Sequence, residues 1–431
     1  MKTLAILAPD FIPSSTPPAL RVRLFANHLA EYGWQPVVIA TDSQYYQWQY
    51  DTENKKLLAK NIEIIPTTAI KYKIARRLGI GDIGLRSLWF HWQAINQLSQ
   101  KRKIDAVLIP APPFFNMLLA RAITTKLKIP CLIDYIDPWV SDYYRDLPNH
   151  KKNLKLWLAD RLSRFLEPIA LRNVNTIISV NADYVTDIPL RCSWIKRQNI
   201  FSIPYGGEPK DFELLREYPR ANPIFQPKSG IRHWVYVGRG GDDMKPILHT
   251  LFQAFRECLA TQPLLFENIR LHFIGTSYNP DGKDDFQVLP IAKQVGIENY
   301  VFEHPLRVAY LDALQILSDA DSLLIIGSIY SYYTASKIFP YILAEKPLMA
   351  FFHENSSAVA ILKATTACDP IIFADLSDLE AQSQKIKSNL LQLADKQHPA
   401  KTNYNHFEQF SARQMTKLLV DALEQTIVCS G

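Results

Sequence analysis

The stretch "DADSLLIIGSIYSYYTASKIFPYILAEKPLMAFF", residues 319–352, decides the fold. "DAD" reads as an acidic helix end. "SLLIIG" is a short apolar run of buried-strand type, "KIFPYILAE" has helical apolar spacing, and "PLMAFF" is a second buried run. Strand, loop, helix and strand in that order form a right-handed βαβ unit, whose two strands lie parallel in one sheet. In an open α/β sheet the loop after the first strand lies at the carboxyl edge, where ligands bind. Thr334 or Ser336 is placed to cap the helix, which would turn a positive helix end toward that edge beside Lys337. With Ser336 as the cap, Pro340 falls just past the first turn, where its missing N–H does little harm; an earlier start would kink the helix.

The same alternation extends outward over the whole chain. "TLAILAP", "QPVVIAT", "IEIIPT", "DAVLIPA", "CLIDYI" and "TIISV" are short strands, most of them separated by helix candidates such as "PPALRVRLFANHLAEYGW". A polar, Pro-rich passage near residues 207–229 precedes a second series: "RHWVYVG", "IRLHFIG", "NYVFEH", "DSLLIIG", "PLMAFF" and "PIIFAD". The fold class is α/β, with two tandem doubly wound Rossmann-like domains facing a cleft. The expected division is an N-terminal domain over 1–205, a C-terminal domain over 206–407, and a last helix over 408–431 packing back toward the first domain.

Composition bounds the function. A chain of 431 residues is long enough for two domains of about 200 residues. Five dispersed cysteines with no CxxC spacing read as reduced thiols of a cytoplasmic protein. "MKTLAILAPD" has too short an apolar run for a signal peptide, and no stretch approaches the roughly 18 apolar residues of a membrane span. Residues 1–200 hold about 27 Lys+Arg and about 16 Asp+Glu, whereas the rest hold about 21 and about 26. The basic excess lies in 71–103 and 145–172, where cations mix with Trp, Phe and Leu. That pattern fits amphipathic helices with solvated basic faces, or a face attracted to anionic lipid or a phosphorylated acceptor. Nucleic acid is not expected, because no recognisable module accompanies the charge. GxxxxGK[ST] and HExxH are absent, "DAD" sits at a helix end rather than in a metal loop, and "GRGGDD" lacks the third glycine of the dinucleotide fingerprint.

Several passages in order resemble the GT-B glycosyltransferases of the family 4 type. They are "FIPSSTPPALRVRLFANHLAEYGWQPVVIA", "APPFFNMLLARAITTKLKIPCLIDYIDPW", "IFSIPYGGEPKDF", "VYVGRGGDDMKPILHTLFQAF" and "KIFPYILAEKPLMA". The resemblance implies a donor loop in which Arg239 and Lys245 hold a nucleotide diphosphate, with Gly238, Gly240 and Gly275 letting backbone come close and Ser336 and Lys337 at the following helix. A fixed guanidinium or ammonium there can take the charge that develops as the sugar leaves. Asp137, in Asp-Pro-Trp, is the expected acceptor-side catalytic group, and Arg21, Arg23, Asp134 and Trp139 line the same side. Asp137 also suits a turn cap. Gly206, Gly207 and Glu208 are hinge residues, and His304 is a loop histidine.

The chain departs from the family at two positions. Where an acidic residue commonly binds the ribose it has Pro340, and where a second commonly lies it has Tyr332; Glu345 or Glu354 are the candidate substitutes. The implied activity is transfer of a hexose from a nucleotide diphosphate sugar, UDP- or GDP-linked, to a glycan or lipid-linked hydroxyl acceptor of an envelope or exopolysaccharide precursor. It implies retention and no metal. The expected location is cytoplasmic, at the inner face of an anionic membrane. The rival readings are a non-catalytic GT-B protein that binds a glycan or a partner, and a nucleotide-sugar epimerase.

Overall fold

The structure, a computed structural model, describes residues 1–47, 51–77, 79–141, 144, 152–227, 230–277, 279, 282, 285–330, 336–395 and 403–430. The chain divides into two compact units, Met1–Gly206 with Ala412–Gly431, and Gly207–Ser411.

The first unit is built on seven parallel strands: β1 (Lys2–Ala8), β2 (Trp34–Thr41), β3 (Glu63–Thr67), β4 (Ala106–Ala111), β5 (Cys131–Tyr135), β6 (Thr176–Ser179) and β7 (Ile200–Ser202), in the order β3-β2-β1-β4-β5-β6-β7. A parallel sheet is covered on both faces, so its strands are apolar on both. In β1, Leu4, Ile6 and Ala8 point to one face, among Phe25, Leu29, Leu419 and Leu423. Ala5 and Leu7 point to the other, among Ile95, Met117 and Ile123. The last helix, Ala412–Ser430, packs on the helix Pro17–His28. Its Thr426 hydroxyl lies 2.6 Å from that of Thr176 on β6, and its Glu424 accepts from the Trp34 indole N–H at 3.1 Å. The three-residue strand β7 is the one strand the apolar pattern does not register, being too short to display a period.

The second unit carries six parallel strands: β8 (Arg232–Val237), β9 (Ile269–Ile274), β10 (Val301–His304), β11 (Ser322–Ile326), β12 (Leu348–His353) and β13 (Ile371–Phe373), in the order β10-β9-β8-β11-β12-β13. Trp234, Tyr236, Phe252, Phe255, Phe273 and Phe351 are at the centre of its core. Asp321 ends the helix-to-strand connection ahead of β11, and its carboxylate accepts the His233 backbone N–H at 2.8 Å. This ties β11 to β8 across the point where the strand order reverses. At such a reversal the flanking loops diverge and leave a crevice at the carboxyl edge.

Candidate functional site

The crevice of the second unit is bounded by the segment after β8 and the helix Ile338–Leu343. Tyr341, on that helix, accepts the Val237 backbone N–H at 2.6 Å and donates to the Val237 carbonyl at 3.2 Å. One phenol thus fixes the end of β8 against the helix. Tyr236 donates to the Arg239 carbonyl at 2.8 Å, which sets the turn over Gly238–Gly241. The Lys337 Nζ donates to the same phenol oxygen at 3.1 Å and lies 4.8 Å from the ring centroid. A Cβ on Gly238 would stand 1.8 Å from that Nζ and 2.8 Å from the Tyr236 Oη. Gly238 is therefore the opening through which the lysine reaches the carboxyl edge.

Charge accumulates here. Burial, with Arg239 and Arg307 adding like charge, pushes the Lys337 ammonium down to about 7. Arg239 donates two parallel bonds to Asp243, at 2.8 and 2.5 Å. Burial works against the Asp243 carboxylate, but bonds from Arg239 and the Ser328 hydroxyl hold it below the usual range. Arg307 is exposed and packs beside Gly275, whose φ of +77° suits glycine. Lys245, the first residue of the helix Lys245–Thr261, is exposed and lies 2.7 Å from Asp242. No sequence motif marks Tyr236, Tyr341, Asp243 or Arg307 as a site residue. Tyr236 and Tyr341 sit at apolar strand and helix positions, and Arg307 stands in a loop with no motif.

The glycines act by space rather than by donating amides. The Gly238 N–H is spent on Ile274 at 2.8 Å, that of Gly240 on Thr276 at 2.7 Å, and that of Gly275 on His304 at 2.8 Å. A Cβ on Gly240 would come within 2.6 Å of Gln287. The helix beyond is also corrected: it begins at Ile338 with Lys337 in the cap position and no side-chain cap, so Ser336 does not cap it. Thr334 and Tyr332 lie outside the described residues. Pro340 is the third helical residue, where an N–H would have no partner within the helix, and its carbonyl accepts the Ala344 N–H at 2.9 Å. No acid stands in Ile338–Leu343. Glu345 precedes β12, at the edge opposite the crevice; Glu354 follows β12 at the carboxyl edge and is exposed.

In the first unit, four expected acceptor-side residues prove to be interior. Arg21 and Asp134 are wholly buried and form a two-pronged ion pair at 2.7 and 3.1 Å. The remaining guanidinium donors go to the Ile203 and Pro204 carbonyls, each at 2.9 Å. Arg23 is buried, and Trp139 stacks on Phe114 with ring centroids 5.6 Å apart. Arg21, Arg23 and Asp134 have almost no accessible surface with which to meet an acceptor, and the Arg21–Asp134 pair instead ties the end of β5 to the chain beyond β7. Asp137 differs: it follows β5, is exposed to solvent, and has its carboxyl pushed up to about 6 by the protein packed around it. Gly206 has a φ of +78°, a Cβ on Gly207 would meet Phe407 at 2.8 Å, and Glu208 caps the helix Pro209–Glu217. His304 is half-buried, and its imidazole is pushed down by burial. Among the described residues no group of three or more His, Cys, Asp or Glu could hold a metal ion, and no helix is long and apolar enough to cross a membrane.

No family model matches the sequence, and no curated protein matches it. Solved structures do match. A trehalose 6-phosphate synthase from Burkholderia multivorans is 12% identical with a TM-score of 0.62, covering 100% of each chain. Anabaena HepE, solved with UDP-glucose, is 12% identical with a TM-score of 0.60, covering 99% of this chain and 100% of that one. A glycosyltransferase from Rickettsia africae is 13% identical with a TM-score of 0.58, covering 99% and 98%. At that identity the likeness concerns the fold, and the fold of this chain is the GT-B fold of two Rossmann-like sheets.

Proposed function

We propose that the protein is a glycosyltransferase that moves a hexose from a nucleotide diphosphate sugar to a hydroxyl acceptor. One observation carries the reading. At the reversal point of the second sheet, Lys337 passes over Gly238 into a site that Arg239 and Arg307 also charge, and burial, with that like charge added, leaves the lysine holding its proton only weakly. Three cationic side chains gathered at one sheet edge suit a diphosphate, whose charge would draw the proton back onto Lys337. As the bond from the sugar C1 to the diphosphate oxygen breaks, the electron pair goes to that oxygen, and Lys337 and Arg239 stabilise it. Lys245 joins them by exchanging Asp242 for phosphate. UDP is the favoured base carrier, since HepE is bound to UDP-glucose in its structure.

In the first unit, Asp137 is the group assigned to take the proton of the acceptor hydroxyl; its raised pKa suits an acid–base role near neutrality. Retention and metal independence follow from the resemblance to family 4. The acceptor is a glycan or lipid-linked precursor at the cytoplasmic face of an anionic membrane, in keeping with the basic charge of residues 1–200. Glu354 is the candidate ribose ligand in place of the acid missing at Pro340.

The test is a thermal-shift and calorimetric panel of UDP, GDP, ADP, TDP and CMP on wild type and Arg239→Ala. A ligand at about 100 times its Kd stabilises by roughly 2.7 kcal/mol. One diphosphate should bind and should weaken on loss of Arg239. Binding by none of them sinks the reading. The acid-free helix Ile338–Leu343 would then favour a non-catalytic GT-B protein, and saturable glycan binding without turnover would identify it.

A further inference from the structure

The helix Leu154–Ala170 of the first unit turns an apolar face to solvent. Leu154, Trp157, Leu158, Leu162 and Phe165 are all exposed, from 39% at Trp157 to 71% at Leu154. Steps of three and four residues place them on one stripe. The opposite side meets the protein through Glu167 and Ala170, so the apolar stripe is not the side that builds the core. The other exposed residues of the helix are Lys155, Ala159 and Arg161. Its two acids are both engaged: Asp160 accepts from Arg164 of the same helix at 3.0 Å, and Glu167 accepts from Arg191 at 2.9 Å and Tyr135 at 3.1 Å. The solvent face is thus apolar and cationic, with no exposed acid. The Arg161 guanidinium carbon lies 5.6 Å from the Trp157 ring centroid, so its stem crosses the stripe while its head stays at the surface.

We propose that this helix is an interfacial docking element for the surface of an anionic lipid bilayer. Leucine and aromatic side chains would enter the boundary between headgroups and acyl chains, and Lys155 and Arg161 would meet lipid phosphates. Charge decides against a second copy as the occupant. Two-fold packing of the stripe would bring Lys155 and Arg161 against the same cations, with no exposed acid on the helix to offset them. An anionic bilayer supplies the opposite charge across the whole face. The inference names the surface for the membrane part of the proposed function. It is read without donor or acceptor, so it stands or falls apart from glycosyl transfer.

The experiment is co-sedimentation of the full chain with phosphatidylglycerol–phosphatidylcholine vesicles and with phosphatidylcholine vesicles, at about 0.05 M and about 0.5 M salt. Binding should require the anionic lipid and fall at the higher salt. L158S/F165S and Arg161→Glu should each weaken it by about tenfold or more, with Tm unchanged because these side chains are exposed. Trp157→Phe should remove the blue shift in tryptophan emission that accompanies binding. Failure of anionic vesicles to sediment the protein overturns the proposal, as does binding that survives L158S/F165S. A dimer in sedimentation velocity that L158S/F165S dissolves would reassign the stripe to self-association.

Discussion

The Nζ of Lys337 lies 1.8 Å from where a Cβ would stand on Gly238, so the lysine occupies the space that the glycine leaves open. The two residues are far apart in sequence and come from opposite sides of the strand-order reversal. Gly238→Ala should therefore displace Lys337 and press on Tyr236, whose buried ring cannot swing away. Diphosphate affinity should drop by about tenfold and stability by about 1–3 kcal/mol. Calorimetry with UDP and urea unfolding read the two effects separately.

Diphosphate binding should be linked to pH through the same lysine. With Lys337 at about 7, the free protein loses this charge as pH rises through neutrality, while a bound phosphate would raise the pKa and draw the proton back. Affinity should be highest below pH 7 and should fall above it, by up to about tenfold per pH unit until the pKa of the complex is passed. Lys337→Met should bind weakly and flatten the profile. Titrations in two buffers of different ionisation heat would count the protons taken up.

Asp137→Asn should separate chemistry from donor binding. Removing the acid–base group should lower kcat by about 10²- to 10⁴-fold and leave UDP affinity unchanged. For the wild type, kcat/KM should rise with pH through about 6 as the carboxylate forms. A parallel loss of UDP binding would count against the role given to Asp137.

Breaking the Arg21–Asp134 pair should destabilise the first unit without touching the donor site. Arg21→Met strands a wholly buried carboxylate and should cost about 3–5 kcal/mol in denaturant unfolding. The double variant R21M/D134L should recover most of that loss, because no unpaired charge remains.

Acid should weaken both units through buried neutral histidines. His91 in the first unit and His272 in the second are each pushed down to about 3 by burial, against about 6.5 in the unfolded chain. The unfolded state thus binds more protons, and stability is lost as pH falls from about 6.5 toward 3. Each site should cost about 2 kcal/mol between pH 7 and pH 5. His272→Phe and His91→Phe should each flatten the pH dependence of unfolding of its own unit.

Sequence by itself determined every strand but β7, their two series and the α/β class. Apolar runs such as those of β1 and β11 are local, and burial on both sheet faces leaves no polar positions to obscure them. The tolerance of Pro340 was also legible, because a first-turn proline forfeits no intrahelical bond. Only the tertiary structure decided which charges face outward. Arg21, in a polar loop, and Asp134, at a strand end, each read as an acceptor-side residue, yet the fold pairs them in the interior. Lys337 holds its proton weakly because it is buried with Arg239 and Arg307 nearby, and the amides of Gly238, Gly240 and Gly275 are spent on carbonyls of neighbouring segments. Charge, burial and hydrogen-bond partners depend on which loops the strand order brings together, and no local period records that.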